Sequence, residues 1–130
     1  QYAIEKIIQL GGKVVTASDS NGFVYDEAGF TKEKLDFLME LKNNKRGRIK
    51  EYAEKFKGVT YTEIDSKADH NPLWKIKADC AFPCATQNEV NEKDANNLVK
   101  NGVKLLGEGS NMPTTPEGIN VLIDNGVMYA

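Results

Sequence analysis

Asn101-Gly102-Val103-Lys104-Leu105-Leu106 decides the fold. A helical pattern stops at Asn-Gly, and an apolar strand starts at once. Glycine just past a helix end takes the left-handed conformation that closes the last turn and redirects the chain. The same joint recurs at Asn125-Gly126-Val127-Met128-Tyr129, and Gly11-Gly12 ends a helical pattern before Lys13-Val14-Val15-Thr16-Ala17. The helices before these joints are legible. Asn91 caps one with Ala95, Leu98 and Val99 inward. Thr115 caps another, with Pro116 at its first position and Ile119, Leu122 and Ile123 inward. Ile4, Ile7 and Ile8 mark the first. Thr31 caps a helix with Leu35, Leu38 and Met39 on its stripe. Ile49, Tyr52, Ala53 and Phe56 mark one more, ending at Gly58. Val59–Thr62 and Ile76–Phe82 read as strands, Phe23–Tyr25 as a small extended excursion, and 63–75 as a loop with Trp74 packed. Helices alternating with short apolar strands predict right-handed crossovers. The expectation is an α/β, Rossmann-like three-layer domain with a mostly parallel sheet and no internal boundary.

The 130 residues suit one domain. Seventeen basic against nineteen acidic residues give a net charge of −2, which supplies no drive toward nucleic acid or anionic membrane. No apolar stretch approaches the length of a membrane span. Cys80 and Cys84 are too few for a disulfide framework, and His70 is the single histidine. No metal site is expected. The thiols are expected to be partly buried, in a strand and the loop after it.

Candidate chemistry gathers at strand ends. Asp19 follows the strand 13–17. An acid there accepts the ribose hydroxyls of a dinucleotide and repels a 2′-phosphate. Ser18 and Ser20 donate to phosphate instead, and Lys42, Lys45, Arg46 and Arg48 cluster at the end of the next helix. Those cations also suit a helix C-terminus. On the residues alone, these readings stand side by side. Two polar blocks, Asp79-Cys80-Ala81-Phe82-Pro83-Cys84-Ala85-Thr86-Gln87-Asn88 and Gly107-Glu108-Gly109-Ser110-Asn111-Met112-Pro113-Thr114-Thr115, each follow an apolar run. Open α/β sheets bind ligands at such ends. Backbone amides and small side chains over Ala85–Asn88 allow close approach to a ribose or nicotinamide. The Asn111 amide offers one acceptor and two donors, and equally suits a turn. Thr115 reads better as a cap. Asp79 and Glu108 lack a partner for acid–base work and read as structural. Gly107-x-Gly109 is followed by Met112, so the Gly-rich dinucleotide turn is not among these residues.

The two blocks, with Ala17-Ser18-Asp19-Ser20-Asn21-Gly22 and Gly29-Phe30-Thr31-Lys32-Glu33-Lys34-Leu35, resemble the nucleotide-binding half of hexameric glutamate dehydrogenases, in the NADP-type branch. The resemblance covers essentially the whole chain. It implies that residues 1–130 are a partial, truncated NAD(P)-binding domain, with the Gly-rich turn just before Gln1 and the domain's C-terminal end missing. It implies NADP rather than NAD as cofactor. Ser20, Lys42, Lys45 and Arg48 would meet its 2′-phosphate, with Asp19 at the edge. The family often has Arg where Lys45 stands; Lys gives a point charge in place of a fork, with Arg46 adjacent. Ala85, Thr86, Gln87 and Asn111 would flank the nicotinamide half. The parent would interconvert L-glutamate with 2-oxoglutarate and ammonia, in the cytoplasm, as a homohexamer. No catalytic residue falls within these residues, and the isolated piece is expected to be inactive. The competing expectations are a non-catalytic nucleotide-binding or interaction module, or another amino-acid dehydrogenase of the same architecture.

Overall fold

A computed structural model describes all of residues 1–130. The chain resolves into two compact units, Gln1–Ser66 and Lys67–Ala130. Each carries one three-stranded sheet. No helix is long and apolar enough to cross a membrane.

The first unit runs α1 (Tyr2–Gln9), β1 (Thr16–Ser18), β2 (Gly22–Tyr25), α2 (Lys32–Asn43), α3 (Lys50–Lys55), β3 (Thr60–Glu63). Its sheet is antiparallel in the order β1-β2-β3. Here the expectation of parallel pairing is corrected. Both β1 and β3 follow helices and run the same way. The segment Phe23–Tyr25 is no excursion but the central strand, reversed by the Asp19-Ser20-Asn21 turn. Phe23 and Val24 are 3% and 0% exposed. A Cβ at Gly22 would collide with the Thr62 carbonyl and the Tyr61 ring, so the centre of this sheet needs glycine there. Val24, Phe30, Leu35, Leu38, Ile49 and Tyr52 form the core, with Ile4 of α1 joining it. The Phe30 and Tyr52 rings stack at 4.9 Å. The Tyr52 hydroxyl donates to buried Asp26 at 2.9 Å, and Lys34 Nζ donates to the same carboxylate at 2.7 Å. Two donors therefore offset the desolvation of that charge. Thr31 Oγ1 caps α2 by accepting from the Lys34 N–H.

The second unit begins with a 3₁₀ turn, Pro72–Lys75, that buries Leu73 and Trp74. Then come β4 (Cys80–Ala81), α4 (Glu92–Lys100), β5 (Leu105–Leu106), α5 (Pro116–Asp124) and β6 (Met128–Tyr129). The sheet β4-β5-β6 is parallel throughout, with α4 and α5 as the crossovers between its strands. At the first joint the Val103 N–H reaches Leu98 O and the Gly102 N–H reaches Val99 O. At the second, Val127 and Gly126 bond Leu122 O and Ile123 O in the same way. Gly102 and Gly126 sit at φ 83° and 74°. These are Schellman closures, with Val103 and Val127 buried directly after them. The structure trims two expectations. The strand expected over Ile76–Phe82 pairs only at Cys80–Ala81; on its C-terminal side Pro83 has no N–H to continue the ladder. Ile123 is 56% exposed; Leu122 carries the burial of α5.

Candidate functional site

In the first unit the anticipated residues form a clasp. Asp19 Oδ1 accepts the N–H groups of Asn21 and Gly22, at 3.0 and 3.2 Å. Its Oδ2 accepts the Ile49 N–H at 2.9 Å and Lys42 Nζ at 3.2 Å. One carboxylate thus shapes the β1–β2 turn and ties it to the segment between α2 and α3. Burial pushes this carboxyl up, but the bonds from Ile49, Asn21 and Lys42 outweigh it and hold it below its ordinary range. Asp19 is therefore ionised at neutral pH, with its oxygens occupied by donors of its own unit. Lys42 Nζ also donates to Gly47 O at 3.0 Å, which fixes its position. Arg48 Nη1 donates to Ser20 Oγ at 3.1 Å, at the exposed tip of the turn. Asp19, Ser20, Lys42 and Arg48 are brought together. Lys45 is exposed and makes no bond to the cluster, and Arg46 beside it sits at φ 51°. The Lys42 ammonium, the Arg48 guanidinium and the Ser20 hydroxyl are the donor set that a phosphate monoester demands.

In the second unit the loops after β4 and β5 are laced together. Gly109 N–H donates to Pro83 O, Asn88 N–H to Met112 O, Val90 N–H to Pro113 O, and Thr115 N–H to Val90 O. A Cβ at Gly109 would collide with Cys84 Sγ, so glycine permits the close approach. Asn88 and Met112 occupy the left-handed region, at φ 57° and 49°. Ala85, Thr86, Gln87 and Asn111 are exposed. Thr115 Oγ1 caps α5 by accepting the Gly118 N–H, as its sequence position suggested. Glu108 accepts the Tyr129 hydroxyl at 2.6 Å, a structural role. Cys80 lies in β4 and Cys84 in the loop after it, both free and exposed where partial burial was expected. No group of three or more His, Cys, Asp or Glu converges on a point that could hold a metal.

Sequence reading missed Glu89. Its Oε2 accepts the Ala85 N–H at 3.0 Å, and the Thr86 backbone also helps to hold its carboxylate in the charged form. Its signal was a carboxylate directly after a short polar turn, four residues past Ala85. That spacing is legible only once the turn is known to fold back on it.

The model of the glutamate/leucine/phenylalanine/valine dehydrogenase family matches residues 1–130. The chain belongs to this family. An NAD(P)-specific glutamate dehydrogenase from Xylanibacter ruminicola is 57% identical over 99% of the chain. The NADP-specific glutamate dehydrogenase of Escherichia coli K12 is 48% identical over the whole of it. Each alignment takes up 28% of the relative's own length. Among solved structures, Plasmodium falciparum glutamate dehydrogenase superposes with a TM-score of 0.89 at 45% identity, covering 99% of this chain and 26% of that one. The family therefore accounts for the α/β architecture, and the chain spans little over a quarter of these relatives.

Proposed function

We propose that residues 1–130 are the nucleotide-binding part of a glutamate dehydrogenase, one that interconverts L-glutamate with 2-oxoglutarate and ammonia using NADP. One observation carries the cofactor assignment: Asp19 braces Lys42 while Ser20 engages Arg48. The acid that would favour NAD is turned inward onto backbone and lysine. Lys42, paired with Asp19, keeps one N–H, and Arg48 and Ser20 stand together at the exposed tip to meet a 2′-phosphate. Bound NADP supplies the hydride acceptor for the substrate Cα; the protein's part is orientation and electrostatics. Lys42, Arg48 and Ser20 hold the adenosine phosphate, with Lys45 reaching it from the rim. Ala85, Thr86, Gln87 and Asn111 line the nicotinamide half. The family resemblance further supports work in the cytoplasm, and a homohexamer whose assembly contacts lie largely outside these residues. The acid–base chemistry is assigned to other parts of the polypeptide.

The test replaces Lys42 and Arg48 by Ala in the full-length polypeptide and compares kcat/KM for both cofactors at fixed ionic strength. A well-formed charge-assisted contact is worth about 1.5–3 kcal/mol. Exposure of Arg48 lowers that, so the pair is expected to lose about 10- to 100-fold with NADP. Activity with NAD should hold. The NAD(P)-specific name of the Xylanibacter relative makes the NAD arm informative. An equal fall with both cofactors would assign these residues a general structural role.

A further inference from the structure

The turn after β4 is pinned at both ends by backbone. At one end Pro83 O takes the Gly109 N–H. At the other, Asn88 and Val90 donate to Met112 O and Pro113 O, and Val90 is fully buried. Between these pins, the N–H groups of Ala85 and Thr86 find no main-chain carbonyl. The Ala85 N–H is taken by the Glu89 carboxylate at 3.0 Å. Burial pushes that carboxyl up, the Ala85 and Thr86 backbone pulls it down, and the nearby Asp94 charge raises it further. The bonds run toward the protein, and the side chains of Ala85, Thr86 and Gln87 face out.

We infer that Glu89 is a positioning residue for the nicotinamide side of the bound dinucleotide. It fixes the Ala85–Asn88 turn from within, touches no ligand itself, and so sets where Ala85, Thr86 and Gln87 meet the cofactor. This rests on reading the chain as NADP-binding. The physical case is leverage. Hydride transfer needs the two carbons in near-attack geometry, and a misplacement of about 1 Å can cost on the order of a hundredfold in rate. A turn whose Ala85 N–H has lost its acceptor would relax toward water or toward other acceptors. The four exposed residues between the backbone pins have no second anchor of this kind.

The experiment compares Glu89→Ala and Glu89→Gln in the full-length enzyme. Steady-state kinetics with NADP and glutamate are read beside hydrogen exchange of the peptide spanning 82–90. Glu89→Ala should speed exchange at Ala85 and lower kcat by about 10- to 100-fold, with a much smaller change in KM for glutamate. Glu89→Gln keeps an acceptor oxygen and should return kcat to within about threefold of wild type. If Glu89→Ala does not accumulate as soluble protein, Glu89→Asp takes its place: it keeps the charge, shortens the reach, and carries the same expectation. Faster exchange with unchanged kcat would reduce Glu89 to a structural brace and overturn the inference. So would an unchanged exchange pattern, or equal losses in the Ala and Gln variants. A wild-type enzyme that oxidises no glutamate with NADP would instead overturn the reading beneath it, which separates the two failures.

Discussion

Asp19 concentrates the residue-scale argument. Its carboxylate accepts four donors, and two of them, Lys42 and Ile49, lie 23 and 30 residues away. Replacing it with Ala leaves the Ile49 N–H without its acceptor, which should cost about 1–3 kcal/mol of stability by urea unfolding. It also frees Lys42, so NADP affinity should fall in the same variant, while Asp19→Asn, which keeps one acceptor oxygen, should lose less of both. The pH dependence has a definite sign. The folded carboxyl lies below its ordinary range. Its contribution is therefore full above the unfolded value of about 3.9 and is lost as pH falls through the folded one. Acid unfolding of Asp19→Asn should show less pH dependence below about pH 4 than wild type. An acid at the end of the first strand was legible in sequence. The family resemblance grouped Lys42 with it around one phosphate; the direct Lys42 and Ile49 bonds were not legible, because nothing local brings positions 42 and 49 to position 19.

Among the elements, the termini were the most legible, because capping is local chemistry. Asn91 was identified as the cap of α4. The structure adds the reciprocal half: Asp94 accepts the Asn91 N–H while Asn91 Oδ1 accepts the Asp94 N–H. Asn91→Ala should cost about 1 kcal/mol in a thermal or denaturant melt. A further clasp joins the loop after β5 to β6. The Tyr129 hydroxyl is pushed up to about 12, first by burial and then by Glu108. Because the folded value is raised, this contribution is complete below the unfolded tyrosine value of about 10 and is lost as pH rises from there through the folded one. Alkaline unfolding of Glu108→Gln should begin at lower pH than wild type; an unmoved midpoint would dismiss the clasp.

For the whole molecule, the composition of the sheets matters most. The second unit is the parallel α/β pattern that its joints announced. The first unit inserts a reversed strand at its centre, because a hairpin needs only the short Asp19–Asn21 turn whereas a parallel neighbour needs a crossover. Cofactor binding belongs at this scale too. Pyrophosphate is normally held by a Gly-rich turn at a helix N-terminus, and residues 1–130 contain no such turn. Calorimetric titration of these 130 residues alone with NADP is expected to show no micromolar affinity; a micromolar Kd would place the pyrophosphate donors within the chain.

The sequence by itself determined what depends on neighbours a few residues apart. It determined the helix caps at Thr31, Asn91 and Thr115, and the glycine closures before β1, β5 and β6. It also indicated the parallel order of Cys80–Tyr129, where a helix separates each strand from the next. Through the blocks around Asp19, Ala85 and Asn111, it indicated the family to which the chain belongs. Tertiary structure alone decided that Phe23–Tyr25 is a central strand, that Asp19 faces Lys42 and Ile49, and that Glu89 folds back beneath its own turn. Each of these is a choice of partner across space. A carboxylate's spacing in sequence names the donors it could accept, but only the packed chain determines which of them lie within about 3 Å.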